Sequence, residues 1–207
     1  MASEARVFVV EDDASVRRSL TRMIETAGYA VEAFASAGEF LERAPAREPC
    51  CLVLDVRMPG MTGLDLQKTL AHAVHQIPIV FVTGHGDVSM GVTAMKAGAV
   101  DFLTKPFDRN ALLDAIRRAV DRDTRVLRTE AHTGSIDARV RTLTPRERQV
   151  FALVVTGMLN KQIAADLGIA EKTVKVHRAR VMDKMQAGSL AELVRLADDV
   201  GVIVAKA

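Results

Sequence analysis

The residues most able to do chemistry are acidic or polar and stand at the ends of short apolar runs. Glu11-Asp12-Asp13 follow Val7-Phe8-Val9-Val10, Asp55 follows Cys51-Leu52-Val53-Leu54, Thr83 follows Ile79-Val80-Phe81-Val82, and Lys105-Pro106 come just after Val100 to Leu103. Carboxylates gathered in one small space repel one another unless a cation sits among them, and an all-oxygen donor set with water favours Mg²⁺ over soft metals. With Asp55 as nucleophile, the ion neutralises incoming phosphoryl oxygens, Thr83 donates a hydrogen bond and Lys105 pairs as a point charge. Taken singly, Asp12 and Asp13 read equally well as helix caps and Lys105 as a surface residue. As a set at successive strand ends, they point to phosphoryl chemistry.

A second candidate lies in Lys172-Thr173-Val174-Lys175-Val176-His177-Arg178-Ala179-Arg180-Val181. Helical spacing puts Val174, Val181 and Met185 near one face and leaves Lys175, Val176 and Ala179 along another. Long basic side chains near a helix N-terminus reach base edges and phosphates once the helix enters a major groove, and a small apolar residue can touch a thymine methyl. A solvated basic face is the alternative on charge alone.

These groups meet only if the elements bring them together. Up to about residue 120, β-branched apolar runs alternate with helical patterns, as in Val7 to Val10 followed by Val16, Leu20, Met23, Ile24 and Ala27 and closed by Gly28. Further strands are expected near Ala30 to Ala35, Cys51 to Leu54, Ile79 to Val82 and Val100 to Leu103. Runs apolar throughout suit strands covered on both faces, so the expectation is α/β: a doubly wound, five-stranded parallel sheet with right-handed crossovers. In such a sheet functional groups collect at the carboxyl ends of the strands.

Residues 121–141 thin into a linker whose first half extends the preceding helix and whose His132-Thr133-Gly134-Ser135 reads as a break. From Thr142 onward the pattern is helical only. Thr144, Pro145 and Glu147 form a helix start, Gly157 a stop, and further helices begin near Asn160, Ala170 and Ser189, which makes a small all-α helix-turn-helix bundle over 142–207.

The 207 residues suit two modest cores, and 49% hydrophobic with 26% charged residues is ordinary globular composition. No run reaches the ~18 apolar residues of a membrane span, and Met1 to Arg6 lacks the order of a secretory signal, so a cytoplasmic protein without membrane association is expected. The adjacent Cys50 and Cys51 read as buried small hydrophobes, with no CxxC partner or histidine cluster to make a metal site. His85, on a Gly-flanked loop with no orienting carboxylate evident, reads as structural. Residues 141–207 hold 11 Lys and Arg against 7 Asp and Glu, a C-terminal basic surplus that favours a polyanion.

VVEDDASVRRSL, LVLDVRMPGMTGLDL, IVFVTGHGD and MKAGAVDFLTKPF resemble the motifs of a receiver domain over residues 6–120. The resemblance implies phosphotransfer from a sensor histidine kinase to Asp55. It also implies direct Mg²⁺ binding by Asp12 and Asp55, a third ligand from the backbone carbonyl of Arg57, and Glu11 acting through water, with Asp13 outside. Glu11 stands where the family more often has Asp. The Lys105-Pro106 bond is expected cis, and the family's switch pair falls on Thr83 and Phe102, the latter an aromatic without a hydroxyl.

LTPRERQVFALVVTGMLNKQIAADLGIAEKTVKVHRARVMDKM resembles the LuxR-type helix-turn-helix of NarL/FixJ response regulators over about 142–200, and TGHGDV with MKAGAVDF places the likeness in the FixJ-like branch. It implies a supporting helix over Asn160 to Leu167 and a recognition helix over Glu171 to Met185. Lys175, Val176, Ala179 and Arg180 then face bases of promoter DNA, while Lys172, His177, Arg178 and Lys161 are candidates for phosphates.

The resemblance further implies a phosphoacceptor that promotes its own phosphotransfer and dephosphorylation, not a metabolic enzyme. Phosphorylation is expected to drive homodimerisation through the face of the fourth and fifth helices and fifth strand, including Val92 and Lys96, with RNA polymerase as a further candidate partner. Two alternatives compete. An aspartate-nucleophile phosphatase usually needs a second carboxylate two residues beyond the nucleophile, where Arg57 stands. A phosphorylation-independent regulator would not need every pocket group that is present.

Overall fold

The computed structural model describes residues 5–43, 48–73, 75–84 and 88–201. The chain divides between Arg128 and Thr129 into two compact units. In the first, the elements run β1 (Arg6–Val10), α1 (Ala14–Thr26), β2 (Ala30–Phe34), α2 (Ala37–Glu42), β3 (Cys50–Asp55), α3 (Gly63–Leu70), β4 (Ile79–Thr83), α4 (Val88–Lys96), β5 (Asp101–Thr104) and the first part of α5 (Arg109–Arg141), whose last turns belong to the second.

The strands form one parallel sheet in the order β2-β1-β3-β4-β5. Strand side chains alternate between two covered faces. Val7, Val9, Cys51, Val53, Val80 and Val82 pack with Leu20 and Ile24 of α1 and Leu112 and Ile116 of α5. Phe8, Leu52, Leu54 and Phe81 pack on the other side with Phe40 of α2, Leu66 of α3 and Ala94 of α4. There Phe8, Phe34 and Phe40 make a ring cluster with centroids 5.5–6.3 Å apart. Because the chain winds in opposite directions from β1 and β3, their carboxyl ends flank the crevice in which such sheets bind ligands.

In the second unit, α6 (Pro145–Val155), α7 (Asn160–Leu167), α8 (Glu171–Met185) and α9 (Leu190–Asp199) enclose a core of Val150, Phe151, Val154, Ile163, Val174, Val181, Met185, Leu193 and Leu196. The expected break at His132-Thr133-Gly134-Ser135 is absent, since α5 runs unbroken through it to Arg141. A glycine inside a helix costs about 1 kcal/mol relative to alanine, and burying an isoleucine contributes about 1.5–3 kcal/mol. Ile136, 1% exposed in the helical core, therefore offsets Gly134. Among the described residues no helix is long and apolar enough to cross a membrane.

Helix α6 begins in the expected capping box, with Thr144 Oγ1 accepting from the Glu147 N–H and Glu147 Oε2 accepting from the Thr144 N–H. Glu147 also accepts from Lys184 Nζ at 2.6 Å. Lys184 and the cap pull its carboxyl down from 4.5 to about 2. A depressed carboxylate contributes its stabilisation in full above the ordinary value, and loses it as pH falls from 4.5 through about 2. Glu147→Gln is expected to cost about 2 kcal/mol at neutral pH. It should also flatten the acid dependence of amide exchange in α6 and α8, read by hydrogen exchange on the full chain.

Candidate functional site

The register sets the pocket. Val10 pairs with Leu54, so Glu11 and Asp55 emerge side by side, and Asp55 pairs with Val82, one residue before Thr83. Carboxylate oxygens of Glu11, Asp12 and Asp55 lie within 4.8 Å of one another. Glu11, Asp55 and Thr83 are buried, whereas Asp12 is exposed at the mouth. Lys105, preceding a cis peptide to Pro106, reaches across from the β5 end with Nζ 2.6 Å from Glu11 Oε2 and 3.5 Å from Asp55 Oδ2.

Burial raises the Glu11 carboxyl above its ordinary range and the Asp55 charge raises it further, while the Lys105 hydrogen bond pulls it back. One lysine, shared between Glu11 and Asp55, beside three carboxylates leaves excess negative charge on an all-oxygen donor set, and that fits a hard divalent cation. The Arg57 N–H donates to Asp55 Oδ1 at 3.3 Å, and the Arg57 side chain is exposed. Asp13 turns away to cap α1, accepting from the Ser15 and Val16 N–H groups at 2.7 and 2.9 Å, which lowers its pKa.

Phe102 lies half-buried on β5, 6.0 Å centroid to centroid from Phe81. Its ring is also the nearest neighbour of Gly91 on α4, where an added Cβ would stand 3.4 Å away. On the sheet Phe102 pairs with Phe81, two residues before Thr83, whose own partner is Thr104. His85 lies outside the described residues.

In the helical unit, α7 ends at Gly168, whose φ of +64° closes the helix in the left-handed conformation, and α8 starts three residues later. Val174, Val181 and Met185 are fully buried. At about 100° per residue, Lys172, Val176 and Ala179 project opposite that stripe, with Lys175 and Arg180 on its flanks. All five are exposed, and Val176 leaves 44% of its surface bare. Lys175 is paired with Glu171 one turn earlier at 3.2 Å. Lys161 is exposed on α7. His177 and Arg178 sit closer to the buried stripe and are half-buried, and Arg178 Nη1 donates to Asn160 Oδ1, tying α8 to the start of α7.

Two family models fit this division, one for the response regulator receiver domain over residues 7–117 and one for bacterial regulatory proteins of the luxR family over 141–197. The chain belongs to the NarL/FixJ response regulators. This response regulator is 50% identical over 201 residues to nodulation protein W of Bradyrhizobium diazoefficiens, spanning 97% of this chain and 88% of that one. It is 44% identical over 203 residues to the transcriptional regulatory protein FixJ of the same organism, with 98% and 99% covered. Among solved structures it resembles the response regulator StyR, with a TM-score of 0.87, 47% identity, and 95% and 99% of the two chains covered.

Some groups that shape the response regulator's pocket gave no sequence signal. Arg17 on α1 donates to the backbone carbonyls of Glu11 and Asp12 at 2.6 and 3.0 Å, fixing the acidic loop. Gly63 opens α3 against β3, where a Cβ would fall 2.2 Å from the Asp55 carbonyl oxygen, so no side chain fits without moving the phosphoacceptor strand. Cys50 and Cys51 are buried as expected. His75 and Asp123 gather beside Cys50, which the sequence reading did not anticipate.

Proposed function

We propose that this response regulator is phosphorylated on Asp55 by a sensor histidine kinase in a Mg²⁺-dependent reaction, and that phosphorylation switches dimerisation and promoter binding by the helical unit. The observation that carries the reading is the convergence of Glu11, Asp12, Asp55 and Lys105 at the crevice between the ends of β1 and β3. Asp55 is the nucleophile. One of its oxygens forms the new P–O bond as the donor's P–N bond breaks, and the departing imidazole keeps the bonding pair and takes a proton from solvent.

Asp12, Asp55 and the Arg57 carbonyl would hold the ion directly and Glu11 through water. When bound, the ion neutralises the phosphoryl oxygens and the crowded carboxylates. Lys105, now divided between Glu11 and Asp55, pairs with a phosphoryl oxygen, and Thr83 donates its hydroxyl to another. Movement of Thr83 toward the new group vacates the space into which Phe102 turns, carrying the change to the outer face of α4 and β5. Val88, Val92 and Met95 are exposed there beside Lys96, and this is the face we assign to the phosphorylated dimer. Two receivers paired in this way present two α8 helices to two half-sites. The same pocket returns the phosphoryl group to water, which limits the lifetime of the signal, and RNA polymerase is a further partner of the DNA-bound form.

The exposed face of α8 supports base reading by Lys175, Val176, Ala179 and Arg180, with Lys172, Lys161, His177 and Arg178 toward phosphates. On DNA selected by the protein from a random pool, Lys175→Ala is expected to weaken binding about 10-fold to 100-fold, with a smaller loss on unrelated DNA. Equal loss on both in a gel-shift titration would make Lys175 a phosphate contact.

A further inference from the structure

The strand that carries the phosphoacceptor at one end carries an unassigned cluster at the other. Cys50 opens β3, five residues before Asp55 and so about 17 Å from it along the strand. Beside it stand His75, from the connection between α3 and β4, and Asp123, from α5, and one donor atom from each lies within 4.8 Å of the others. Asp123 is fully buried. Its Oδ2 accepts from the Cys50 backbone N–H at 2.8 Å, which fixes the carboxylate plane.

The other carboxylate oxygen has no such partner. Asp123 Oδ1 is 3.1 Å from His75 Nε2, yet the two do not align as a hydrogen bond. Both atoms, with His75 Nδ1, are buried without a hydrogen-bond partner among the described residues. His75 Nε2 and Asp123 Oδ1 therefore face one another out of hydrogen-bond alignment, with the Cys50 thiol beside them, an arrangement that suits ligands of an ion held between them.

We propose that Cys50, His75 and Asp123 form a binding site for a borderline divalent transition ion, with Zn²⁺ as the natural occupant. Thiolate sulfur, imidazole nitrogen and carboxylate oxygen are the Zn²⁺ donor set, and the sulfur disfavours Mg²⁺ and Ca²⁺. Charge closes as well, because a thiolate and a carboxylate neutralise a dication and leave no net charge in the interior. Binding releases the Cys50 thiol proton to solvent, with no oxidation or reduction. Tetrahedral coordination with bonds of about 2.0 Å to nitrogen and oxygen sets those atoms about 3.3 Å apart, close to the separation found for His75 and Asp123. With a bond of about 2.3 Å to sulfur, the thiolate would stand about 3.5 Å from the other two ligand atoms, so any wider gap in the cluster closes on binding. His75 leaves 14% of its side chain at the surface, and a water would complete the four-coordinate shell. The site joins β3, the α3–β4 connection and α5, so an ion there clamps the edge of the receiver opposite its phosphorylation pocket.

The test is a Co²⁺ titration of the full-length, chelator-stripped protein with Mg²⁺ in large excess, so that the acidic pocket is occupied by the hard ion. The expected result is one Co²⁺ per chain with a thiolate-to-cobalt charge-transfer band and the strong visible bands of a four-coordinate ion, all displaced by Zn²⁺. Cys50→Ser and His75→Gln should abolish the band and Cys51→Ala should keep it. Since a core cysteine variant can misfold, the unfolding midpoint of the native chain is measured in parallel. Zn²⁺ should raise it by about 5 °C or more, and His75→Gln should remove that rise. No charge-transfer band in the native protein, a band that survives His75→Gln, or a midpoint indifferent to Zn²⁺ would overturn the proposal.

Discussion

Asp55→Asn is expected to take up no phosphoryl group from acetyl phosphate or from a matched kinase, whereas the native chain is expected to gain one phosphoryl mass that depends on Mg²⁺. The reason is chemical, because an amide oxygen is a poor nucleophile and carries no charge for a cation to hold. The fold should survive the change. Asp55 sits at the open end of β3, and among the described residues its side chain accepts the long bond from the Arg57 N–H and the 3.5 Å contact from Lys105. Intact-mass spectrometry reads the result directly, and a Mg²⁺-dependent adduct on the Asn variant would place the acceptor elsewhere, with Asp12 and Glu11 the nearest candidates.

Lys105→Met is expected to slow phosphoryl transfer to Asp55 about 10²-fold to 10³-fold, the usual cost of removing one preorganised charge from a transition state. Before reaction, Lys105 is bound more closely to Glu11 than to Asp55, at 2.6 against 3.5 Å. Its removal leaves three carboxylates without their lysine. The same variant should therefore bind Mg²⁺ more tightly while reacting more slowly, and those opposed effects distinguish loss of a phosphoryl contact from general damage to the pocket. A rate and a Mg²⁺ affinity that fall together would instead show a collapsed acidic loop. Phosphorylation time courses over a range of Mg²⁺ concentrations measure both.

The pocket was legible because parallel strands buried on both faces betray themselves as unbroken apolar runs, and β1, β3 and β4 end in or run straight into its polar residues. The strands near Cys51 to Leu54 and Ile79 to Val82 emerged within a residue or two of Cys50–Asp55 and Ile79–Thr83. The starts of α6, α7 and α9 were legible from local chemistry, as at Thr144 and Ser189, whose side chains accept from the third helical N–H.

What escaped depends on tertiary contact. Thr133-Gly134-Ser135 has weak helix propensity, and only the buried Ile136 shows why α5 continues through it. Arg17 looks like any surface arginine on α1 until the loop it holds is seen. Asp123 is 73 residues from Cys50, in a segment that reads as solvated linker, yet it is fully buried and accepts a hydrogen bond from that strand. Nothing in the periodicity of either segment records the other.

The most direct test of the account is the affinity of the native chain for its selected DNA before and after phosphorylation, with Asp55→Asn carried alongside. Phosphorylation is expected to tighten binding by about 10-fold or more, the range of an ordinary coupling free energy, and Asp55→Asn to stay at the unphosphorylated value whatever donor is added. Equal affinity for phosphorylated and unphosphorylated native protein would contradict it and leave a DNA-binding protein whose receiver does not govern it.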